Sequence, residues 1–334
     1  MNGVLLVDKD PGLTSHDVVA KTRKLLGTKS VGHAGTLDPL ASGLLILLVG
    51  EATKVSDYLL NGDKGYEVTV RLGVRTDSMD ITGLVLEEKS TAGLTEDRIR
   101  DIAESVSGVV ELKVPMHSAV KVNGKKLYES AHKGEIPPEI PIRAMSFYDI
   151  EWKGLNKLNL PDKSPEISAV SSPDAAPRGL EFTVALRCSK GSFIRAWANH
   201  VGQLLGVGGT VTALRRVMSA PFDIHQAKTL SVMARELETA RLQSHDVGPT
   251  ALGPAWVPLA DSLPHFERIE ITGHDATLLK NGQLSKSLQS ELLRRVQLGE
   301  ALKPMRVIHR EERRLLALLA AEPGEFYKIR RVFV

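Results

Sequence analysis

The feature that most restricts the fold of this chain is the unbroken apolar run Leu44-Leu45-Ile46-Leu47-Leu48-Val49, closed by Gly43 and Gly50. A run this short with no polar residue reads as a fully buried strand. Such a strand needs a sizeable core around it, and a chain of 334 residues can supply one. Hydrophobic residues at 42% and charged residues at 25% are ordinary globular values. No apolar stretch reaches the length of a membrane span, so a soluble, cytoplasmic protein is expected. The single cysteine, Cys188, excludes an internal disulfide and fits a reducing compartment. A net charge of +3 does not mark a nucleic-acid binder by itself. The basic clusters say more. Lys121, Lys125 and Lys126 lie close together, and Arg215-Arg216, Arg294-Arg295, Arg313-Arg314 and Arg330-Arg331 are doublets that can track a phosphate backbone.

The segment leading into the buried run is Gly32-His33-Ala34-Gly35-Thr36-Leu37-Asp38-Pro39-Leu40-Ala41-Ser42-Gly43. A residue before proline is kept out of the helical region, so Asp38 sits on extended backbone. The flanking glycines allow tight turns and close approach of another molecule. A lone carboxylate held this way suits a nucleophile or general base. The alternative is a structural turn in which Asp38 caps a neighbouring element.

The pattern Gly32-His33-x-Gly35-Thr36-Leu37-Asp38-Pro39-x-Ala41-x-Gly43-x-Leu45 resembles the catalytic motif of the TruB family of tRNA pseudouridine synthases. Later segments extend the resemblance over nearly the whole chain. Lys64-Gly65-Tyr66 opens a period-two strand in which Tyr66, Val68, Val70 and Leu72 share a face. From the residues alone Tyr66 is a core tyrosine; the resemblance makes it an active-site one. Leu72-Gly73-x-x-Thr76-Asp77-x-x-Asp80-x-x-Gly83 also fits, with Asp77 and Asp80 read as turn residues. Val114 to Gly134 reads as a basic hairpin with an embedded aromatic, suited to RNA contact. Ser189-Lys190-Gly191-Ser192-Phe193-Ile194-Arg195 places an arginine at the border of a helix's apolar stripe, with Ser192 as the expected N-cap. The family carries tyrosine where Phe193 stands. Near the N-terminus, Asp10 stands where its proline is expected and Pro11 is displaced by one.

The resemblance implies an α+β fold. A pseudouridine synthase core with a mixed, mostly antiparallel sheet and flanking helices would span residues 1–262. It would carry a flexible insertion at 154–179. A small β-rich PUA-like RNA-binding domain would follow at 265–334, joined through a linker containing Pro254 to Pro264. The implied reaction isomerises a uridine in the T-loop of tRNA, position 55, after flipping the base from its stack. Asp38 would be the catalytic carboxylate, aligned by Arg195, with Tyr66 stacking on the base and a candidate for proton transfer. His33, Phe193, Leu214 and Lys64 would contact the RNA: His33 in the vacated stack, Phe193 against the base, Leu214 lining the uracil pocket, and Lys64 on a phosphate. No metal or cofactor is expected, nor a guide RNA, and the protein would act as a monomer. A guide-dependent relative and an idle tRNA-folding protein are the competing readings, and a folding role can coexist with the activity.

Overall fold

The computed structural model describes residues 1–122, 124–132, 139–157, 179–243, 248–297, 303–321 and 326–333. The main strands of the large sheet are, in chain order, β1 (Gly3–Lys9), β2 (Ser42–Val49), β3 (Lys64–Leu72), β4 (Gly108–Lys113), β5 (Ile142–Lys157), β6 (Leu180–Cys188), β7 (Gly209–Ser219) and β8 (Trp256–Pro258). Their spatial order is β8-β1-β2-β7-β3-β6-β5-β4, and short strands at Val31–His33 and Phe222–Asp223 make ten. β2 and β7 run parallel and the other pairs antiparallel. This is the mixed, mostly antiparallel α+β architecture expected.

The apolar run of β2 explains the layering. Leu45, Leu47 and Val49 join Leu5, Val7, Val68 and Val70 in one core. Helices α1 (Ser15–Leu26), α2 (Glu96–Ser105) and α3 (Ile194–Leu204) close that side. Leu44, Ile46 and Leu48 join Val4 and Leu6 in a second core on the opposite face, covered by Leu259, Leu263, Phe266, Ile308, Leu315, Leu318 and Phe333. Side chains alternate across a strand, so a strand covered on both faces must be apolar throughout.

The C-terminal part forms a four-stranded sheet, β9 (Glu267–Ile271), β10 (Met305–His309), β11 (Arg314–Ala320) and β12 (Lys328–Val332), in that spatial order. Helices α5 (Gly273–Lys280) and α6 (Lys286–Gln297) accompany it, after α4 (Leu230–Gln243) of the larger part.

Three local expectations are corrected. Ser192 does not cap α3. Phe193 is the N-cap residue, without a side-chain bond, and Ser192 Oγ instead accepts from the Ser146 amide at 3.1 Å. The Pro254 to Pro264 stretch is not a free linker. Trp256–Pro258 pairs with β1 at the edge of the sheet, where a proline lacking an N–H is tolerated. Residues 154–157 belong to β5, so the expected insertion begins later, and residues 158–178 lie outside the described part.

Candidate active site

Asp38 sits on a loop fixed from four directions. Ser15, at the start of α1, accepts from the Leu37 amide at 3.0 Å, and its hydroxyl donates to the Leu37 carbonyl at 3.2 Å. The Gly12 amide donates to the Pro39 carbonyl at 2.8 Å, and Lys9 Nζ reaches the same oxygen at 3.4 Å. The Ala41 amide closes a turn onto the Asp38 carbonyl at 3.0 Å. From the far side, the Arg216 guanidinium donates to the carbonyls of Thr36 and Leu44 at 3.3 and 2.7 Å. Thr14 and Gly27 bound α1. Thr14 forms a capping box with Asp17, and Gly27 takes the left-handed conformation at φ 64°.

Arg195 enters the site from the first turn of α3. Its Nε lies 2.8 Å from Asp38 Oδ2 and its Nη2 donates to Asp38 Oδ1 at 3.2 Å, a two-point contact that sets the plane of the carboxylate. The two groups differ in exposure: Arg195 is 4% exposed and the Asp38 side chain 36%. The carboxylate reaches solvent and its partner does not. Arg195 is held in turn by the Ser78 carbonyl at 2.8 Å from Nη1 and the His117 carbonyl at 2.8 Å from Nη2. A second carboxylate, Asp80, stands 3.7 Å from Nη1. Asp80 is buried, and its Oδ1 accepts from Ser78 Oγ at 2.8 Å and the Thr82 amide at 3.0 Å. Asp77 and Asp80 do shape a turn, as expected. The sequence reading missed that Asp80 also faces Arg195. The signal was the Thr76-Asp77-x-x-Asp80 spacing, which cannot show which charge the turn is folded against.

Tyr66 and Leu214 share a sheet face, because Val68 pairs with Leu214 and Tyr66 with Arg216 across β3 and β7. Tyr66 is half-buried and packs against the main core with Phe193, while Leu214 is 7% exposed. Desolvation pushes the Tyr66 hydroxyl above its ordinary pKa, opposed by the positive charge of Arg216. His33 is half-buried, edge-on to His16 with ring centroids 5.6 Å apart. Its Nδ1 is buried without a partner. Burial, then the nearby charges of His16 and Arg216, lower its pKa.

Lys64 points inward. Its ammonium donates to the carbonyls of Leu60, at 2.6 Å, and Gly62, and the residue is 8% exposed. Desolvation, with Arg216 close by, lowers its pKa to about 8. In this geometry the ammonium braces the turn before β3 and is not offered to an RNA phosphate. In the basic hairpin, Lys126 Nζ lies 5.4 Å from the centroid of the Tyr128 ring.

A half-exposed carboxylate in two-point contact with a buried arginine, beside a half-buried tyrosine, can support acid–base or nucleophilic chemistry. Residues 23–194 match the family described as TruB family pseudouridylate synthase (N terminal domain), and residues 195–254 match the tRNA pseudouridylate synthase B C-terminal domain. The chain is 43% identical to the tRNA pseudouridine synthase B of Bdellovibrio bacteriovorus, over 99% of this chain and 97% of that one. It is 37% identical to the protein of the same name from Thermobifida fusca, covering 82% and 88% respectively. Among solved structures, a Cbf5-Nop10-Gar1 complex superposes with a TM-score of 0.64 at 21% identity, covering 99% of this chain and 85% of that one. An H/ACA ribonucleoprotein bound to substrate RNA gives 0.65 at 20%, with the same coverage. These two similarities speak to the fold. On the sequence matches, the chain belongs to the TruB family of pseudouridylate synthases.

Proposed function

We propose that the protein isomerises a uridine of tRNA to pseudouridine, at position 55 in the T-loop, with Asp38 as the catalytic carboxylate. The observation that carries this is the two-point Asp38–Arg195 contact at the end of a loop anchored on every side. The reaction is redox-neutral and conserves every atom. The bond from uracil N1 to ribose C1′ breaks, C5 bonds to C1′ in its place, C5 loses a proton and N1 gains one. Asp38 acts on the ribose carbon or on the uracil ring once the base has left its stack. Arg195 fixes the carboxylate's plane, and Tyr66 lies where it can stack on the ring and exchange a proton. Phe193 and Leu214 supply apolar walls, and His33 fills the space the nucleotide leaves. Lys64 supports the floor under Tyr66.

The 265–334 segment serves as a PUA-like second RNA contact. Support comes from its β-rich sheet and its basic doublets. The enzyme works in the cytoplasm as a monomer, without a guide RNA. The near-full-length identity to proteins named tRNA pseudouridine synthase B, against about half that identity to the ribonucleoprotein structures, supports the guide-free reading. The test is an unmodified tRNA transcript incubated with purified protein and no other RNA, followed by carbodiimide mapping. One adduct in the T-loop is expected, lost when that uridine is replaced by cytidine. Product only on addition of a guide RNA would overturn the guide-free reading, and no product under either condition would overturn the proposed activity.

A further inference from the structure

Beneath the Asp38 loop lies a buried charge that the reaction above does not use. Arg216 is 1% exposed, on β7, paired with Gly43 of β2 on one side and Tyr66 of β3 on the other. Its backbone approaches Gly43 so closely that a Cβ at Gly43, which has φ 98°, would overlap it. The guanidinium curls under the loop. Nε donates to the Leu44 carbonyl at 2.7 Å, Nη1 to Thr36 at 3.3 Å and Nη2 to Gly35 at 3.4 Å. Two of these oxygens precede Asp38 in sequence and one follows it, so one rigid fork spans the loop that carries the carboxylate. Tyr66 stands directly across the sheet from the same residue, and that buried positive charge favours the ionised hydroxyl against desolvation. Burying a charge against carbonyls rather than a carboxylate costs stability, which fits a side chain retained for what it positions.

We propose that Arg216 is a positioning residue for the isomerisation, locking the loop that bears Asp38 and setting its charge beside Tyr66. The proposal rests on the function given above, and acts through Asp38 and Tyr66 without touching substrate. It is specific to arginine. Lysine keeps the charge but presents a single point and cannot serve the three carbonyls together.

The test combines kinetics with a signal independent of activity. The protein contains five tyrosines. Labelled with 3-fluorotyrosine, it gives fluorine resonances of which one is assigned to Tyr66 by Tyr66→Phe. In Arg216→Lys and Arg216→Met the Tyr66 resonance should move while the other four stay, showing an intact fold. Single-turnover rate at saturating tRNA should fall by about 100-fold, with the dissociation constant for tRNA within about threefold. Tyr66→Phe added to Arg216→Met should cost much less than in the wild type, because the two act as a unit. An unmoved Tyr66 resonance, additive losses, or unfolding of both variants would each overturn the proposal, the last making Arg216 a purely structural residue. If the wild type makes no pseudouridine, the proposed function fails, while the resonance still reports whether Arg216 sets Tyr66.

Discussion

Arg195 carries its charge in a site where water has little access, so each donor must find an acceptor. It finds them in Asp38 and in the Ser78 and His117 carbonyls, with Asp80 close by. Arg195→Lys should lower the single-turnover rate by about 100-fold or more while tRNA affinity changes little, because lysine cannot hold the carboxylate at two points. A rate within about threefold of wild type would contradict that assignment. Lys64 gives a pH test. Its folded pKa is about 8 against 10.5 for a free lysine. Between those values the unfolded chain binds more protons, so this residue's contribution to stability rises with pH there and is flat below and above. Cys188, pushed up to about 12 by burial, works in the opposite sense, so the comparison must isolate Lys64. Urea midpoints from pH 7 to 10 should rise more steeply in wild type than in Lys64→Met. Parallel curves would contradict the lowered pKa. At this scale Asp38 and Arg195 were legible as motif positions, and the structure pairs them. Asp80 was legible only as a turn residue, and Arg216 only as half of a basic doublet open to phosphate, whereas it is buried, because their meaning lies in contacts across 115 and 180 sequence positions, to Arg195 and Thr36 respectively.

The apolar run of β2 was legible as a buried strand because it is bounded by Gly43 and Gly50 and is too short for a buried helix. Its pairing was not. The parallel contact with β7 joins Gly43 to Arg216 through a register that nothing local encodes. Ile46 is fully buried in the second core, so Ile46→Ala should cost about 2–5 kcal/mol in urea unfolding, whereas a change below about 1 kcal/mol would contradict its packing. Helix α3 shows both sides of sequence reading. Of its apolar stripe, expected at Ile194, Trp197, Val201, Leu204 and Leu205, all are buried except Leu204, which is 48% exposed. Its start was misread because Ser192 has a competing partner in strand β5, the Ser146 amide. The Pro-rich stretch before the C-terminal sheet looked like a linker because composition cannot distinguish a loop from an edge strand that tolerates proline.

At the scale of the molecule, β2 is shared property. One of its faces belongs to the core that carries the site, the other to a core completed by Phe266, Ile308, Leu315, Leu318 and Phe333. The composition change near His265 was legible; the burial of the sheet's second face by the C-terminal part was not, since the apolar stretches of both parts read only as separate elements. Removing residues 265–334 should expose Val4, Leu6, Leu44, Ile46 and Leu48 together, and the truncated protein should aggregate or lose its cooperative thermal transition. A truncated chain that stays monomeric with an unchanged transition would show that this face does not need its cover. The proposed role of Asp38 as the reacting carboxylate is tested by Asp38→Asn, because the amide nearly preserves shape. The measurement is single-turnover conversion of a T-loop uridine in tRNA, with tRNA affinity determined on the same preparation. The predicted result is a rate below about one thousandth of wild type with affinity within about threefold. Pseudouridine formed within about tenfold of the wild-type rate would contradict that role for Asp38.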